Sequence, residues 1–595
     1  MNESLFKFLK LIGGGFEEAR RKGEALSVPS KQALLAALLL TSFAFKVYFT
    51  LHLTHYTGAL VSDMGFYWGR AHERFNGNYF SQDQWHANPP FFPMFLEQVF
   101  KILFFLGLSA HELVIVLVLF SALSTLSVLA VFGIAARLTG GFWRAFLPAA
   151  FYAFAYPMIY YNAFVLTENL AIPLLILVFW LVIHREGSLA WMGLAGILFG
   201  AAVAIRVALG INGLFIFLYL WAAKAVSWRG FKRALGFSAS FFSIVFLLLV
   251  ENFFISHGQL RGLAGYFGFN VFLQYCKVRN AWSGNSFYNN PTFIGGHPEF
   301  GVFHTDHPFH DRAYFLDLVR SCIDNNPHIW IDNLKLFKDI FVNPPWPSFS
   351  NLWGYGFWMM PFCYLTLFLG VSIGLFYWVA PKDRLWKSRI TLLLSPFICA
   401  LVMCYFFGME GRLLIPSLFG LYIVFFATLP LMLKQYRKSG VYYLGVGLIF
   451  LFFTACSHWQ RGVLRDRYGV ERMQKVALEQ AGKRVPDGTP GDTWGFFIMP
   501  NVQSGILLES KTRRKVREIE ISTDSMDQYH VEFYLDHQRL GEIFLPLITS
   551  EQGGTYKRRL RVPNWLKGIA FNRILVRPES GDGFYSLAYL ILDPV

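Results

Sequence analysis

Residues Leu166–Lys224 read LTENLAIPLLILVFWLVIHREGSLAWMGLAGILFGAAVAIRVALGINGLFIFLYLWAAK. Three apolar runs, 166–184, 189–205 and 208–226, follow one another with only short polar turns between them. At about 1.5 Å per helical residue, runs of this length approach or cross a hydrocarbon layer roughly 30 Å thick. One turn carries Arg185 and the next only Arg206, and such an alternation of loop charge is the pattern of a chain crossing and recrossing a membrane. The stretch predicts an α-helical polytopic membrane protein.

Outward from it, further runs lie at 32–53, 111–135 and 143–160 upstream, and at 235–255, 354–380, 389–407, 413–433 and 441–457 downstream. Together they predict about eleven transmembrane helices. The composition agrees: of 595 residues, 54% are hydrophobic and only 15% charged, more apolar surface than a soluble domain can hide. The net charge of +15 does not signal a nucleic-acid partner, because the Lys and Arg are scattered through short loops rather than gathered in one basic domain. The lipid bilayer is the partner this composition demands.

Loop charges set the orientation. The segments read as inner hold Lys7, Lys10, Arg20, Arg21, Lys22 and Lys31, then Arg137, Arg144, Arg185, Lys224 and Arg229, and later Lys382, Arg384, Lys387, Lys434 and Arg437. The short outer turns hold only Arg206 and Arg412. The N-terminus is therefore expected in the cytoplasm. Phe91–Ser109 is apolar but carries Glu97 and Lys101, and counting it as a span would invert every later loop. It is read as a helix in the outer interface.

Three domains follow from this: a cytoplasmic basic segment 1–31, a transmembrane region 32–457 with outer loops 54–110 and 256–353, and an extracytoplasmic region 458–595. After residue 515 the last region alternates apolar and polar residues in VREIEIST, YHVEFYLD, RLGEIFL, YKRRLRV, NRILVRP and YSLAYLIL, with turns at Gly553–Gly554 and Gly581–Asp582–Gly583. That predicts an all-β sandwich or jelly roll. The tail resembles sugar-binding β-sandwiches of the galactose-binding type, a resemblance that implies Trp494, Trp565 and Tyr585 as sugar-stacking rings, against the alternative of a structural lid packed on the outer loops. The N-terminal residues lack an apolar core followed by a small-residue cleavage site, so no removable signal peptide is expected.

Five charged residues fall at the predicted outer rim: Asp63 beyond the first span, Glu168 at the start of the fourth, Arg206 at the end of the fifth, and Glu410 and Arg412 between the ninth and tenth. Each has a plain reading as well. Asp63 and Glu168 can cap helices, Arg206 and Arg412 can snorkel to the interface, and Glu410 can pair locally. Their convergence on one side favours a shared site, since charges at membrane ends are costly.

The order of these residues resembles that of the GT-C glycosyltransferases, polytopic enzymes that use lipid-linked sugars. The matching features are Asp63 after the first span, His86-Ala87-Asn88-Pro89-Pro90, Thr167-Glu168, a Gly-rich fifth span ending in Arg206, and Glu410-x-Arg412-x-x-x-Pro416. They are most similar to the branch of the aminoarabinose transferases and protein O-mannosyltransferases, while Phe91-Phe92-Pro93 is similar to the PIG-V-like mannosyltransferases. The acidic pair usual in these families is here Asp63-Met64, which weakens a two-carboxylate metal site. The resemblance implies transfer of a sugar from a polyprenyl phosphate donor to an extracytoplasmic glycan, lipid or protein acceptor. It assigns Asp63 as catalytic base, Glu168 as a catalytic partner, Arg206 and Arg412 as phosphate ligands, and His86 and Glu410 as substrate-binding residues. The rivals are a transporter or flippase of lipid-linked glycans and a non-catalytic glycan-binding protein.

The long outer loop carries His297, His304, His307, His310 and Asp311, a set able to ligate a divalent metal such as Zn or Mn, although the spacing fits no standard finger. A solvated or substrate-facing loop, with no cofactor, is the alternative. Cys276 and Cys322 share this loop and are candidates for a disulfide. The outer segments contain no permitted N-x-S/T site, which points to a bacterial inner membrane with loops and tail in the periplasm.

Overall fold

A computed structural model describes residues 27–53, 63–78, 90–223, 226–255, 267–275, 282–283, 292–293, 302–305, 312–325, 327–331, 370–374, 378, 384–407, 411–435, 468–470, 472–482, 497–499, 502–525, 527–548, 555–581 and 585–593. The chain forms two compact units. The first comprises Met1–Cys276, Phe309–Pro345 and Phe357–Ile449; the second comprises Lys277–Pro308, Trp346–Gly356 and Phe450–Val595.

The first unit is helical. Helix α1 spans Val28–Tyr48, with Ser27 capping its start and Pro29 in the first turn, where a missing N–H costs nothing; it runs on into a π-turn at Phe49–Leu53. Helices α2 (Asp63–Phe75) and α3 (Phe91–Phe105) follow, then α4 (Glu112–Thr139), which stops at Gly140 in the left-handed conformation, φ 68°. The expected single span at 143–160 is instead two pieces, α5 (Phe142–Ala153) and α6 (Tyr156–Tyr161). Pro157 lies in the first turn of the second piece; its ring disfavours a continuous helix through the preceding residue and suits a fresh helix start.

Helices α7 (Glu168–His184) and α8 (Leu189–Ile205) are followed by a 3₁₀ turn, Val207–Ile211, and α9 (Asn212–Ala222). Then come α10 (Trp228–Ile255), α11 (Phe267–Tyr275), α12 (Arg312–Asn325) and α13 (Arg384–Phe407), a second 3₁₀ segment at Gly411–Ser417, and α14 (Leu418–Gln435).

Among the described residues, four stretches are long and apolar enough to cross a membrane: Val28–His52, Ser109–Thr139, Trp228–Phe254 and Arg384–Phe406. Four shorter apolar helices accompany them, at Glu168–His184, Leu189–Ile205, Val207–Ala222 and Leu413–Thr428. The expected span at 441–457, and most of that at 354–380, lie outside the described residues. Close packing of α8 on α10 comes from glycines four apart: a Cβ at Gly196 would run into the Phe237 carbonyl, and one at Gly200 would lie 2.7 Å from the Ile244 side chain. Small residues at this spacing let two apolar helices approach backbone to backbone.

Helix α3 is 15 residues, about 22 Å long, too short to cross a bilayer alone. It buries Phe92, Leu96, Glu97 and Phe100 and exposes Ile102, Phe104 and Phe105.

In the second unit, strands β1 (Trp282–Ser283), β2 (Thr292–Phe293) and β3 (Val302–Thr305) form a small sheet of order β1-β3-β2. The C-terminal strands form two larger sheets. One, of order β4-β6-β11-β8-β9, contains Arg472–Ala477, Ser504–Arg514, Phe571–Ser580, Gln528–Leu535 and Gln538–Leu545 in that spatial order. The other, β10-β7-β12-β5, contains Thr555–Arg561, Glu518–Asp524, Tyr585–Leu592 and Phe497–Met499. All neighbours in these two sheets are antiparallel except β4 with β6. Ile506, Val531, Phe533 and Ile574 from the first sheet share one apolar core with Ile519, Ile521, Leu587 and Leu590 from the second. The period of two seen in the sequence is thus the inward face of two facing sheets.

Candidate functional site

The charged residues at the ends of α7 and α8 meet. Glu168 is the first residue of α7 and is 1% exposed. Arg206 follows the last turn of α8 in an extended conformation, which turns the chain out of the helix and into the 3₁₀ turn. Its Nη1 forms an ion pair with Glu168 Oε1 and donates to Thr167 Oγ1 at 3.5 Å. Thr167 Oγ1 in turn donates to Glu168 Oε2 at 3.0 Å. The carboxylate also sits at the positive end of the α7 dipole, which favours its charged form. All these contacts use Nη1. The guanidinium has five N–H groups, so among the described residues the three donors of Nε and Nη2 have no protein acceptor.

Arg206 lines a small cleft with Asn212, Cys399, Met403, Leu413 and Pro416. Asn212, fully buried at the start of α9, donates from Nδ2 to the Leu209 carbonyl at 3.0 Å and accepts from Ser395 Oγ on α13 at 3.2 Å. That fixes one wall. The opposite wall, Leu413 and Pro416, belongs to the 3₁₀ segment that contains Arg412. The backbone of that segment therefore lies at the same cleft as Arg206. The Arg412 side chain, Glu410 and His86 lie outside the described residues.

Asp63 is the first residue of α2; its backbone is helical, and its side chain is outside the described set. Helix α2 is held by a buried ionic network that the sequence reading did not identify. Arg74 Nε donates to Glu97 Oε2 on α3 at 2.8 Å, and Nη2 donates to Glu251 Oε1 on α10 at 3.0 Å. Lys101 Nζ reaches the other oxygen of Glu97 at 2.7 Å. His72, one turn from α2's end, faces Glu112 at 3.1 Å. Glu97 and Lys101 carried a signal in their i,i+4 spacing; Arg74, in an irregularly charged helix, carried none. Burial raises the Glu73 carboxyl above its ordinary value, while the charge of Arg70 pulls it back down.

A second polar group inside the bundle is Lys46 on α1. It is fully buried, and its Nζ donates to Ser124 Oγ on α4 at 2.9 Å. Ser127 and Tyr152 continue this polar strip.

His304 lies on β3, paired in register with Trp282 on β1; its side chain, and His307, His310 and Asp311, are outside the described residues. Among the described residues, no group of three or more His, Cys, Asp or Glu is arranged to hold a metal ion. Cys322 on α12 is disulfide-bonded. Its expected partner Cys276 lies outside the described residues, one position beyond α11, and α11 packs on α12 through Phe269, Phe272 and Phe315. Cys399 and Cys404 are buried thiols outside any disulfide.

The tail corrects one expectation. Tyr585 is 4% exposed, with its ring against Tyr529 at 6.3 Å between centroids, so it has no open face on which a sugar could stack. Its strand β12 lies between β7 and β5, and its inward positions fill the core. Trp565 is 37% exposed, and Trp494 lies outside the described residues.

Compared with models of known protein families and with curated proteins, the chain matches none.

Proposed function

We propose that the protein is an integral membrane glycosyltransferase of GT-C type, with about eleven spans, that moves a sugar from a polyprenyl phosphate to an acceptor outside the cytoplasm. The observation that carries this reading is Arg206: a largely buried guanidinium, oriented by Glu168 and Thr167, with three donors that meet no acceptor among the described residues, beside a cleft. A cation held this way, before any ligand arrives, suits an anion that gains charge as a bond breaks. Leaving polyprenyl phosphate is such an anion. In the proposed step the acceptor hydroxyl loses its proton to Asp63 and its oxygen attacks the anomeric carbon. The bond from that carbon to the phosphate oxygen breaks, and its electron pair leaves with the phosphate toward Arg206 and Arg412. Glu168 holds Arg206 in place, and Glu410 and His86 contact the substrates. The tail is an extracytoplasmic β-sandwich, and the compartment is the periplasm of a bacterial inner membrane.

Binding of a synthetic polyprenyl phosphate to the full chain in nanodiscs tests the reading without knowledge of the sugar. The parent should bind the phosphate and not the matching polyprenol, and Arg206→Ala should weaken binding at least tenfold. Equal binding of phosphate and alcohol, or no effect of Arg206→Ala, overturns the phosphate site. Asp63→Asn should bind the phosphate normally and lose transfer by about 10²–10⁴-fold, the usual loss of general-base catalysis. Transfer within a few-fold of the parent would remove Asp63 from the chemistry.

A further inference from the structure

One end of the C-terminal two-sheet domain gathers cations. The register brings together the end of β6, the start of β7, the end of β10 and the start of β11: Arg514 pairs with Phe571, and Arg561 with Glu518. Between Glu509 and Arg514 strand β6 leaves its partner, so Lys511 stands on an excursion from the sheet. The turn that follows carries Lys515 and Arg517, and the loop from β10 to β11 carries Lys567. Lys511, Lys515, Arg517, Arg561 and Lys567 are exposed, and among the described residues none has an ion-pair partner.

The carboxylates at this end are already engaged. Asp536 takes Arg513 at 3.2 Å, Glu479 takes Arg514 at 3.7 Å, and Glu518 takes Arg559 at 2.9 Å. Asp593 accepts from the backbone N–H groups of Arg517 and Glu518 at 2.6 and 3.0 Å. Five cations are therefore left without a carboxylate partner among the described residues, and against the charge that Asp593 retains they leave a surplus of about four positive charges on a small surface. The same β10–β11 loop exposes Trp565 (37%) and Ile569 (42%). One side of the Trp565 ring is packed over Gly541, and its edge meets Phe533 at 6.0 Å, which leaves only part of the indole outward.

From this geometry we infer that this end of the domain docks on anionic lipid headgroups of the membrane that the helices cross. Cations ringing a half-exposed Trp and an aliphatic side chain make up an interfacial anchor: the charges meet headgroups, and the indole sits at their level. A surface built to hold an acidic polymer by stacking would instead show open ring faces, and here one face is already used. Chain length adds a second argument. From the end of the apolar run at 457 to Tyr468, which packs on the domain's Tyr534, there are 11 residues, so the tether reaches at most about 40 Å. The bilayer is thus a source of anions held permanently within reach, at high effective concentration.

The test uses the full chain in nanodiscs, with an environment-sensitive dye on Ile569→Cys and a lipid whose headgroup carries a nitroxide quencher. The parent chain, labelled in parallel, sets the background. With phosphatidylglycerol in the disc, quenching should be strong; in pure phosphatidylcholine, or near 1 M salt where screening falls to about 3 Å, it should be lost. Lys515→Gln with Arg561→Gln should lower the docked-to-undocked ratio about 25-fold, roughly five-fold for each cation. The same dye on Val502→Cys, before the far end of β6, should stay unquenched. The inference is overturned by equal quenching in both lipids, by no quenching with phosphatidylglycerol, or by quenching at residue 502 as strong as at 569. It is also overturned if the dye responds to dextran sulfate in solution and not to anionic discs, which would make the surface a site for acidic polymers.

Discussion

Replacing Glu168 by Gln removes one charge from a pair buried where α7 begins and α8 ends. Glu168 is 1% exposed and the Arg206 side chain 12%, so neither charge has much water to fall back on. Arg206 would keep its charge facing only neutral acceptors among the described residues, the Gln amide oxygen and Thr167 Oγ1 at 3.5 Å, with no opposite charge to balance it. Removing one partner of a buried ion pair typically costs about 3–5 kcal/mol, and the residual solvent access of Arg206 places this case near about 3 kcal/mol. Arg206→Met should cost a similar amount, because it strands a more deeply buried carboxylate. The α7 dipole offsets only about 0.5–1 kcal/mol of that. Glu168→Gln combined with Arg206→Met removes both charges and keeps the volumes, and should fall within about 1 kcal/mol of the parent. The cycle therefore predicts a coupling of about 5 kcal/mol, read from thermal unfolding of the purified chain followed by tryptophan fluorescence. Function should separate from stability: the double variant regains stability and still fails to bind polyprenyl phosphate. A double variant as unstable as the sum of the singles would refute the pair as an energetic unit. One that binds the phosphate like the parent would refute Arg206 as its ligand.

Arg74→Met should destabilise the chain by about 3 kcal/mol, because it takes the buried guanidinium away from both Glu97 and Glu251, although Lys101 stays on the former; unfolding midpoints in the same detergent measure it, and an unchanged midpoint would mean the network holds nothing. Alkaline phosphatase fused after Val595 should be active in the periplasm, and a cytoplasmic reporter at the same point should be silent; the reverse result would overturn the eleven-span arrangement. Cys322 should be recovered linked to Cys276 in non-reducing peptide maps, and linkage to Cys363 or Cys456 instead would refute that pairing.

Much of the helical part was legible because its elements end on charges and caps. Helix α8 runs Leu189–Ile205, the bounds of the apolar run between Ser188 and Arg206. The break at Phe154–Ala155 was harder to see, because apolar residues continue through it and only Pro157 marks it. In the tail, strands with one face outward show a period of two and could be read directly. Strand β6 could not: Ile506, Leu507 and Leu508 are all fully buried, so the strand has no polar alternation. Its two faces fill different cores, Ile506 and Leu508 the main one and Leu507 a smaller one with Val470, Tyr534 and Leu575. The candidate site shows the same division. The sequence marked Glu168 and Arg206 as charges at helix ends, but no spacing rule joins residues 38 positions apart across two helices. The Arg74 network was hidden for the same reason, since its partners lie on three separate helices.

The lengths of α7 and α8 explain why Glu168 and Arg206 occur together. Each helix has 17 residues and is about 25 Å long, several ångströms short of the roughly 30 Å hydrocarbon layer. If the turn after α7, with Arg185 and Glu186, stands at the inner boundary, the opposite ends fall just inside the outer one. There a lone carboxylate or guanidinium is expensive, while a contact pair carries no net charge and satisfies its strongest donor and acceptor within the protein. Because the pair is compensated on the Nη1 side only, Arg206 keeps donors for a second anion without first having to leave Glu168. A phosphate arriving from the bilayer side would meet a cation already desolvated and oriented. Lengthening α7 by one turn of Ala residues after Trp180 should therefore disturb the site from a distance. It moves Glu168 about 6 Å relative to Arg206 and rotates it by about 40°, since four residues exceed one 3.6-residue turn. The pair should break and stability should fall as in Glu168→Gln, with polyprenyl phosphate binding weakened. Retained binding and stability would mean that the pairing does not depend on the matched lengths of the two helices.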